Sequence, residues 1–501
     1  MKEKENRKCS AFEKCGGCQL LSTPYFSQLE QKQKKITELL GKYGKISHII
    51  GMKSPLNYRN KVTATFDRQK DGTVVSGLYQ EKTHHIVLKS RCYLENDLAA
   101  SIISEITKMV KGFKWMVYNE NSGYGLLRHV MVRVGAQTGQ VMVILVTTNP
   151  ILPSNKNFVK AIRAKFPQIT TIVQNVNDKD TTMVLGNRDI VLYGKGYIED
   201  VLCGKRFQLS PRSFYQVNPV QTELLYQKAI EYAALTGNET VLDTYCGIGT
   251  IGICLSDKAA KVIGVELNKE AVKDAIKNAT INKCKNITFY QQDATKFMLD
   301  MVAQSAAQQT SQSASQSKMQ KANMKEKIDV LLIDPPRSGS TEEFMSAAIA
   351  MNPKRIIYIS CGPDTLARDL AYMTKNSTYK VEKITPVDMF PMTEHVETVV
   401  LLSKGVVDKD NFRKVKVDFS LEDMDLTELR GKATYAQVKE YILNEFGLKV
   451  SSLYIAQVKK KCGIETGENH NLPKSEDARQ PQVTPEKEEA IMKAFRHFGV
   501  I

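Results

Sequence analysis

The sequence predicts an α/β chain built on an open parallel sheet, with a β-rich region before it and a small helical extension after it. Three observations carry this. Residues 211–404 alternate apolar runs with helical segments: "ETVLDTYCG", "KVIGVEL", "ITFYQQDA", "DVLLIDPP" and "RIIYISCG". That is the pattern of parallel strands joined by crossover helices. Residues 46–210 instead carry short alternating runs such as "KVTATF" and "HVMVRV" between turns rich in Gly, Asp and Asn. Residues 405–501 read as a separate, mostly helical segment.

Taken in order, residues 1–45 open with Cys9, Cys15 and Cys18, followed by a helical pattern over 26–43. Cys92 follows in "KSRCYLEND". Four thiolates without a histidine suit an iron–sulfur cluster or zinc. The start of the chain is charged and lacks an apolar signal core. The expected compartment is therefore the cytoplasm, where the ten cysteines are free, metal-bound or catalytic rather than disulfide-paired. No run is long and apolar enough to suggest a membrane span.

The formal charge is +16, which favours a polyanionic partner, most simply nucleic acid. The 16 basic and 16 acidic residues of 405–501 cancel, so the excess lies in residues 1–404. Arg59, Lys61, Arg128 and Arg133 are candidate phosphate contacts. In the extension, two helices around Gly447 could form a helix-turn-helix-like unit, with Lys459, Lys460 and Lys461 as its basic face.

The parallel-sheet region ends each strand with chemistry. "LDTYCGIGTIG" follows the first strand and opens a helix, with glycines that allow a tight turn and close ligand approach. The second strand ends in Glu266, placed for a ribose diol, and the third leads to Asp293, placed for an adenine amino group. Asp243 in the first turn would repel a phosphate, so a nucleoside with a sulfonium cation, S-adenosylmethionine, fits better than a dinucleotide. The fourth strand leads to "DPPRSG", and the fifth stops at Cys361. Residues 302–327, rich in Gln, Ser and Ala, read as a disordered surface loop.

The segments "SPRSFYQVN", "LDTYCGIGTIG", "GVE", "DPPRSG", "YISCGP" and "FPMTEHVE" stand in the order found in the uracil-5 RNA methyltransferases. The chain resembles that family from about Cys9 to Leu402, and its 23S ribosomal RNA members in particular. The resemblance implies a Rossmann-like, S-adenosylmethionine-dependent methyltransferase domain over 211–404, preceded by a β-rich RNA-binding region. It implies Cys361 as nucleophile and Glu397 as proton acceptor, with His395 and Glu394 as rivals for the latter role. Gln216, Tyr245, Glu266, Asp293 and Asp334 are implied to line the cofactor and uracil pocket. Tyr245 stands where many relatives have Phe. The resemblance also favours a [4Fe–4S] cluster on Cys9, Cys15, Cys18 and Cys92, and 23S ribosomal RNA as partner. A transfer RNA methyltransferase and a non-catalytic RNA-binding factor are the competing readings, and no protein partner is implied.

Such a pair of residues answers a chemical need. Carbon 5 of uracil is a weak nucleophile. A thiolate added to carbon 6 turns the ring into an enolate that takes the methyl group at carbon 5. A base must then remove the carbon-5 proton before the thiolate can leave.

Overall fold

The structure, a computed structural model, describes residues 9–80, 83, 85–88, 92–120, 122–179, 181–310, 327–404, 435–462 and 483–498. The chain divides into two compact units, Met1–Val407 and Asp408–Ile501.

The first unit holds two seven-stranded sheets and a hairpin. The β-rich sheet comprises β1 (Lys61–Arg68), β2 (Val74–Tyr79), β3 (Ile86–Val87), β4 (Leu127–Val134), β5 (Val141–Thr147), β6 (Ile169–Val176) and β7 (Arg188–Tyr193), in the order β3-β2-β1-β4-β5-β6-β7. β1 alternates, turning Val62, Ala64 and Phe66 inward, as a strand with one buried face must. β4 and β5 are buried along their whole length, which explains the continuous apolar run of β5. β5 and β6 pair in parallel through the crossover helix Asn155–Lys165, while the other neighbours are antiparallel. The helix Asp97–Gly112 is capped by Asn96, which accepts from Leu98 N and Ala99 N. It lays Ile102, Ile106 and Val110 on the sheet beside Trp115.

The hairpin of β8 (Ile198–Leu202) and β9 (Lys205–Leu209) turns on Cys203 and Gly204, both with positive φ (50° and 74°), the geometry of a type I′ turn. Residues 210–218 then lead into the helix Pro219–Ala233, capped by Asn218.

The second sheet runs β12-β11-β10-β13-β14-β16-β15. Its strands are β10 (Thr240–Thr244), β11 (Lys261–Glu266), β12 (Ile287–Gln291), β13 (Val330–Ile333), β14 (Arg355–Ser360), β15 (Tyr379–Val387) and β16 (Glu397–Lys404). β10 to β14 are parallel, and β16 runs back between β14 and β15. The topological switch lies between β10 and β13, where open α/β sheets bind their ligands. Asp243 sits within β10, not in the loop after it, and accepts from Gly252 N at 3.0 Å. The helix Ala294–Thr310 runs into the stretch expected as a loop from residue 302. Ala and Gln there are good helix formers. The remainder of that stretch, 311–326, lies outside the described residues.

The helix expected over 26–43 spans Tyr25–Leu40. Its buried face repeats at four-residue spacing: Gln28, Lys32, Ile36 and Leu40. Lys32 Nζ lies 2.6 Å from Asp388 Oδ1, with both side chains shut away from solvent (2% and 0% exposed).

In the second unit, the helices Tyr435–Phe446, Ser452–Lys461 and Pro485–His497 share a core of Ile442, Ile455, Val458, Ile491 and Phe495. Gly447, with φ of 65°, ends the first helix. Lys461 pairs with Glu488 at 2.7 Å, so one of the three expected surface lysines is engaged within the unit. Residues 405–434 and 463–482 of the expected extension lie outside the described residues. No described helix is long and apolar enough to cross a membrane.

Removing one partner of a buried ion pair strands the other's charge. Asp388→Ala is expected to lower the unfolding free energy of the first unit by about 3–5 kcal/mol, read from the midpoint of a urea titration. A loss below about 1 kcal/mol would be the behaviour of an exposed pair and would contradict the burial.

Candidate active site

The carboxyl edge of the second sheet gathers the candidate residues because its strands end level. Thr244 pairs with Val265 and with Ile333, so Tyr245, Glu266 and Asp334 follow at one height. Ile333 pairs with Tyr358 in the next strand, and Cys361 comes just after Ser360 closes β14. Pro363 opens the helix Pro363–Lys375 and turns the chain away. β16 approaches the same edge from the other direction. Its Thr398 pairs with Ser360, so the next step of the register sets Glu397 opposite Cys361. Directly opposed residues of an antiparallel pair face the same side.

A cavity of about 500 Å³ opens here. It is lined by Gln216, Asp243, Tyr245, Glu266, Asp334, Arg337, Cys361 and Glu397, together with Phe214, Tyr226, Thr250 and Phe390. Glu266 fixes the glycine-rich turn, accepting from Gly247 N at 3.1 Å and from Asn268 N at 2.8 Å. Two glycines are required by space. A Cβ on Gly249 would stand 2.8 Å from Phe289 Cζ, and one on Gly252 would stand 2.9 Å from Asp243 Oδ2. Tyr245 takes φ of 59° and lies against Phe344, with ring centroids 5.4 Å apart.

The electrostatics are those of crowded acids. Burial, then Asp334, pushes Glu397 up to about 8, against the pull of Arg337. Burial alone takes Asp334 to about 7. Burial also takes Asp243 to about 8, although its bond from Gly252 N opposes the rise. Burial, Glu397 and Asp334 raise the Cys361 thiol to about 11, and Arg337 draws it down. An anionic ligand would worsen this crowding; a cationic one would relieve it.

Not every sequence candidate is in the cavity. Asp293 is exposed and outside the lining, and its Oδ1 accepts from Lys296 N at 3.0 Å, at the start of a helix. Glu394 is exposed. His395 is exposed, edge-on to Phe390 with ring centroids 6.2 Å apart, and outside the lining. Arg128 and Arg133 are buried struts, not surface cations. Arg128 donates to the carbonyls of Asn177 and Lys179 and lies over Tyr118. Arg133 donates to Ser213 O at 2.8 Å, bracing the segment that carries Phe214 and Gln216. Phe214 was missed as a site residue although it stands in a quoted motif. It lines the cavity while 66% exposed, and an exposed Phe beside Tyr215 and Gln216 is its signal.

A second cavity, of about 380 Å³, brings Cys9, Cys15, Cys18 and Cys92 together with Arg59 and Lys61. Val217, Arg337 and Phe390 line both cavities. Burial raises the Cys18 thiol to about 11, with further rises from Cys92, Cys15 and Cys9. Burial and Arg133 bring Lys61 down to about 8. Among the described residues, no three His, Cys, Asp or Glu side chains stand in a metal-holding geometry. The four thiols share a cavity without closing on one point.

Comparison with known proteins follows the same lines. The family model described as "tRNA (Uracil-5-)-methyltransferase" matches residues 24–405. A protein of Caldanaerobacter subterraneus subsp. tengcongensis, described as "Uncharacterized RNA methyltransferase", is 40% identical over 406 residues, covering 80% of this chain and 84% of its own. A Staphylococcus aureus protein of the same description is 40% identical over 400 residues, covering 79% and 83%. Among solved structures, the Pyrococcus abyssi tRNA (uracil-54, C5)-methyltransferase in complex with S-adenosyl-L-homocysteine is 27% identical. It aligns with a TM-score of 0.61 over 77% of this chain and 85% of its own. The chain therefore belongs to the tRNA (Uracil-5-)-methyltransferase family and is an S-adenosylmethionine-dependent RNA (uracil-5-)-methyltransferase.

Proposed function

We propose that the chain methylates carbon 5 of a uridine in 23S ribosomal RNA, with Cys361 as nucleophile and Glu397 as proton acceptor. The observation that carries this is the pairing of β14 with β16, which sets the thiol and the carboxylate side by side in one cavity. The Cys361 thiolate adds to carbon 6 of uracil, and the ring's π pair moves to the carbon-4 oxygen as an enolate. Carbon 5 then attacks the methyl group, and the bonding pair stays on sulfur as S-adenosylhomocysteine leaves. A Glu397 oxygen takes the carbon-5 proton, the 5,6 double bond reforms, and the carbon–sulfur bond breaks to return the thiolate. A carboxylate titrating at about 8 is a base matched to neutral pH. Glu266, Asp243 and the turn at Gly247 would hold the cofactor, and the acidic wall suits its sulfonium.

The ribosomal target rests on the order of the sequence motifs and on the four amino-terminal cysteines. In this reading Cys9, Cys15, Cys18 and Cys92 would hold a [4Fe–4S] cluster. The chemistry of the donor set fits, because the Cys18 thiol, raised by burial and by its three neighbouring thiols in a shared cavity, is relieved by a cation. Such a cluster would pin the amino-terminal arm to the β-rich sheet, a structural task.

A 5-fluorouridine trap tests the residues and the RNA together. Fluorine cannot leave as a cation, so 23S ribosomal RNA transcripts carrying it should form a denaturant-stable complex, and Cys361→Ala should abolish it. On unmodified RNA, Glu397→Gln should complete methyl transfer and then stall as the adduct. Trapping of transfer RNA instead of ribosomal RNA would move the target.

The acidic wall gives a pH dependence. Below about 7 the raised carboxyls are protonated and neutral; above about 8 they carry charge. Calorimetry should show S-adenosylmethionine binding tighten across that interval. S-adenosylhomocysteine, which lacks the sulfonium charge, should change less. Parallel profiles for the two would contradict the electrostatic reading.

Protein purified without oxygen should be brown and hold about four irons and four sulfides per chain. Stoichiometric zinc without sulfide would replace the iron–sulfur reading.

A further inference from the structure

One stripe of the amino-terminal helix grips the loop that leads to Glu397. Tyr25, Gln28 and Lys32 are three and four residues apart, hence on one helix face. The Tyr25 hydroxyl donates to Asp388 Oδ2 at 2.7 Å. Lys32 Nζ donates to Asp388 Oδ1 at 2.6 Å and to Phe390 O at 3.1 Å. Met392 N donates to Gln28 Oε1 at 2.9 Å. Alternate residues of the loop are thus held from one surface.

Gln28 is the hub. It is fully buried, and its Nε2 also donates to Leu20 O at 2.9 Å and Thr23 O at 2.8 Å. Leu20 N in turn donates to Met392 O at 3.0 Å. Both polar groups of the Met392 backbone are therefore held by the amino-terminal arm. Met392 has φ of 68°, a left-handed conformation uncommon outside glycine. It persists only when its surroundings over-determine it. Five residues later the chain delivers Glu397.

We propose that Gln28 is a positioning residue for the proton-abstraction half of the reaction: through Met392 it fixes where the Glu397 carboxylate meets carbon 5. This rests on Glu397 being the proton acceptor. The thiol follows β14, and the glycine-rich turn lies between β10 and its helix, so neither is held by this loop. Loosening the grip spares thiol addition and methyl transfer and slows removal of the carbon-5 proton.

The test uses the full chain with S-adenosylmethionine and the unmodified RNA that the fluorouridine experiment identifies. Gln28→Leu removes all four side-chain bonds, including the one from Nε2 to Met392 Sδ at 3.1 Å, at similar volume. The S-adenosylhomocysteine formed in a single turnover should match the parent, while the denaturant-stable adduct accumulates. Steady-state turnover should fall about 10²-fold, the effect of a misplacement near 1 Å, with KM for both substrates unchanged. Gln28→Glu, which keeps an oxygen toward Met392 N, should fall between. Gln33→Leu is the control. On the same helix Gln33 accepts from Ile49 N at 2.7 Å and donates to Ser47 O at 3.3 Å, away from the loop. A purely structural role for Gln28 makes the two Leu variants alike, less stable but without adduct. The ratio of adduct to released product is set within folded molecules, so partial unfolding does not alter it. If Glu397→Gln accumulates adduct and Gln28→Leu does not, the positioning role falls and the proton acceptor stands. If neither does, both fall.

Discussion

The site depends on one strand running against its neighbours. β10, β11, β13 and β14 deliver side chains at their carboxyl ends, and a further parallel strand would have done the same. β16 runs back, so its first residue, Glu397, arrives where the others finish. Its register is fixed on both faces at once. Val399 and Leu401 pack with Ile357 and Ile359 in one core cluster, while Val400 and Leu402 pack with Ile356 and Tyr358 in another. A slip of one residue would swap these two sets and turn Glu397 away from Cys361.

Much of the parallel sheet was legible because each strand is an apolar run with a turn and a chemical group at its end. Gln216, Tyr245, Glu266, Asp334, Cys361 and Glu397, read from separate motifs, line one cavity. Other placements were hidden by local pattern. Asp293, at a strand end, lies outside the lining, exposed, and accepts from the backbone of the helix it precedes. Arg128 and Arg133 are charged residues within β4, which a sequence reading assigns to the surface. Their partners are carbonyls of distant segments, which no local pattern reveals. The antiparallel return of β16 was likewise invisible, because an apolar run carries no direction.

The amino-terminal cysteines and the reaction cavity are not separate places. Val217, Arg337 and Phe390 form a wall common to both. Arg337 is also the cation that moderates the acids around Cys361. The cysteine cavity therefore stands one side chain away from the reaction cavity, across a charge and an aromatic ring.

The Lys32–Asp388 contact joins residues 356 positions apart. A chain leaving the ribosome makes the helix first and its partner almost last. Until residue 388 has emerged, Lys32 lacks its carboxylate partner and Tyr25 the acceptor of its hydroxyl, and the two core clusters of the sheet lack the strand they share. Closure across so long a span is slow to find, so the arm docks as a late step of folding. The nascent chain thus stays without Glu397 until the first unit is nearly complete, and nearly the whole of that unit must be synthesised before the cavity can close around its lining.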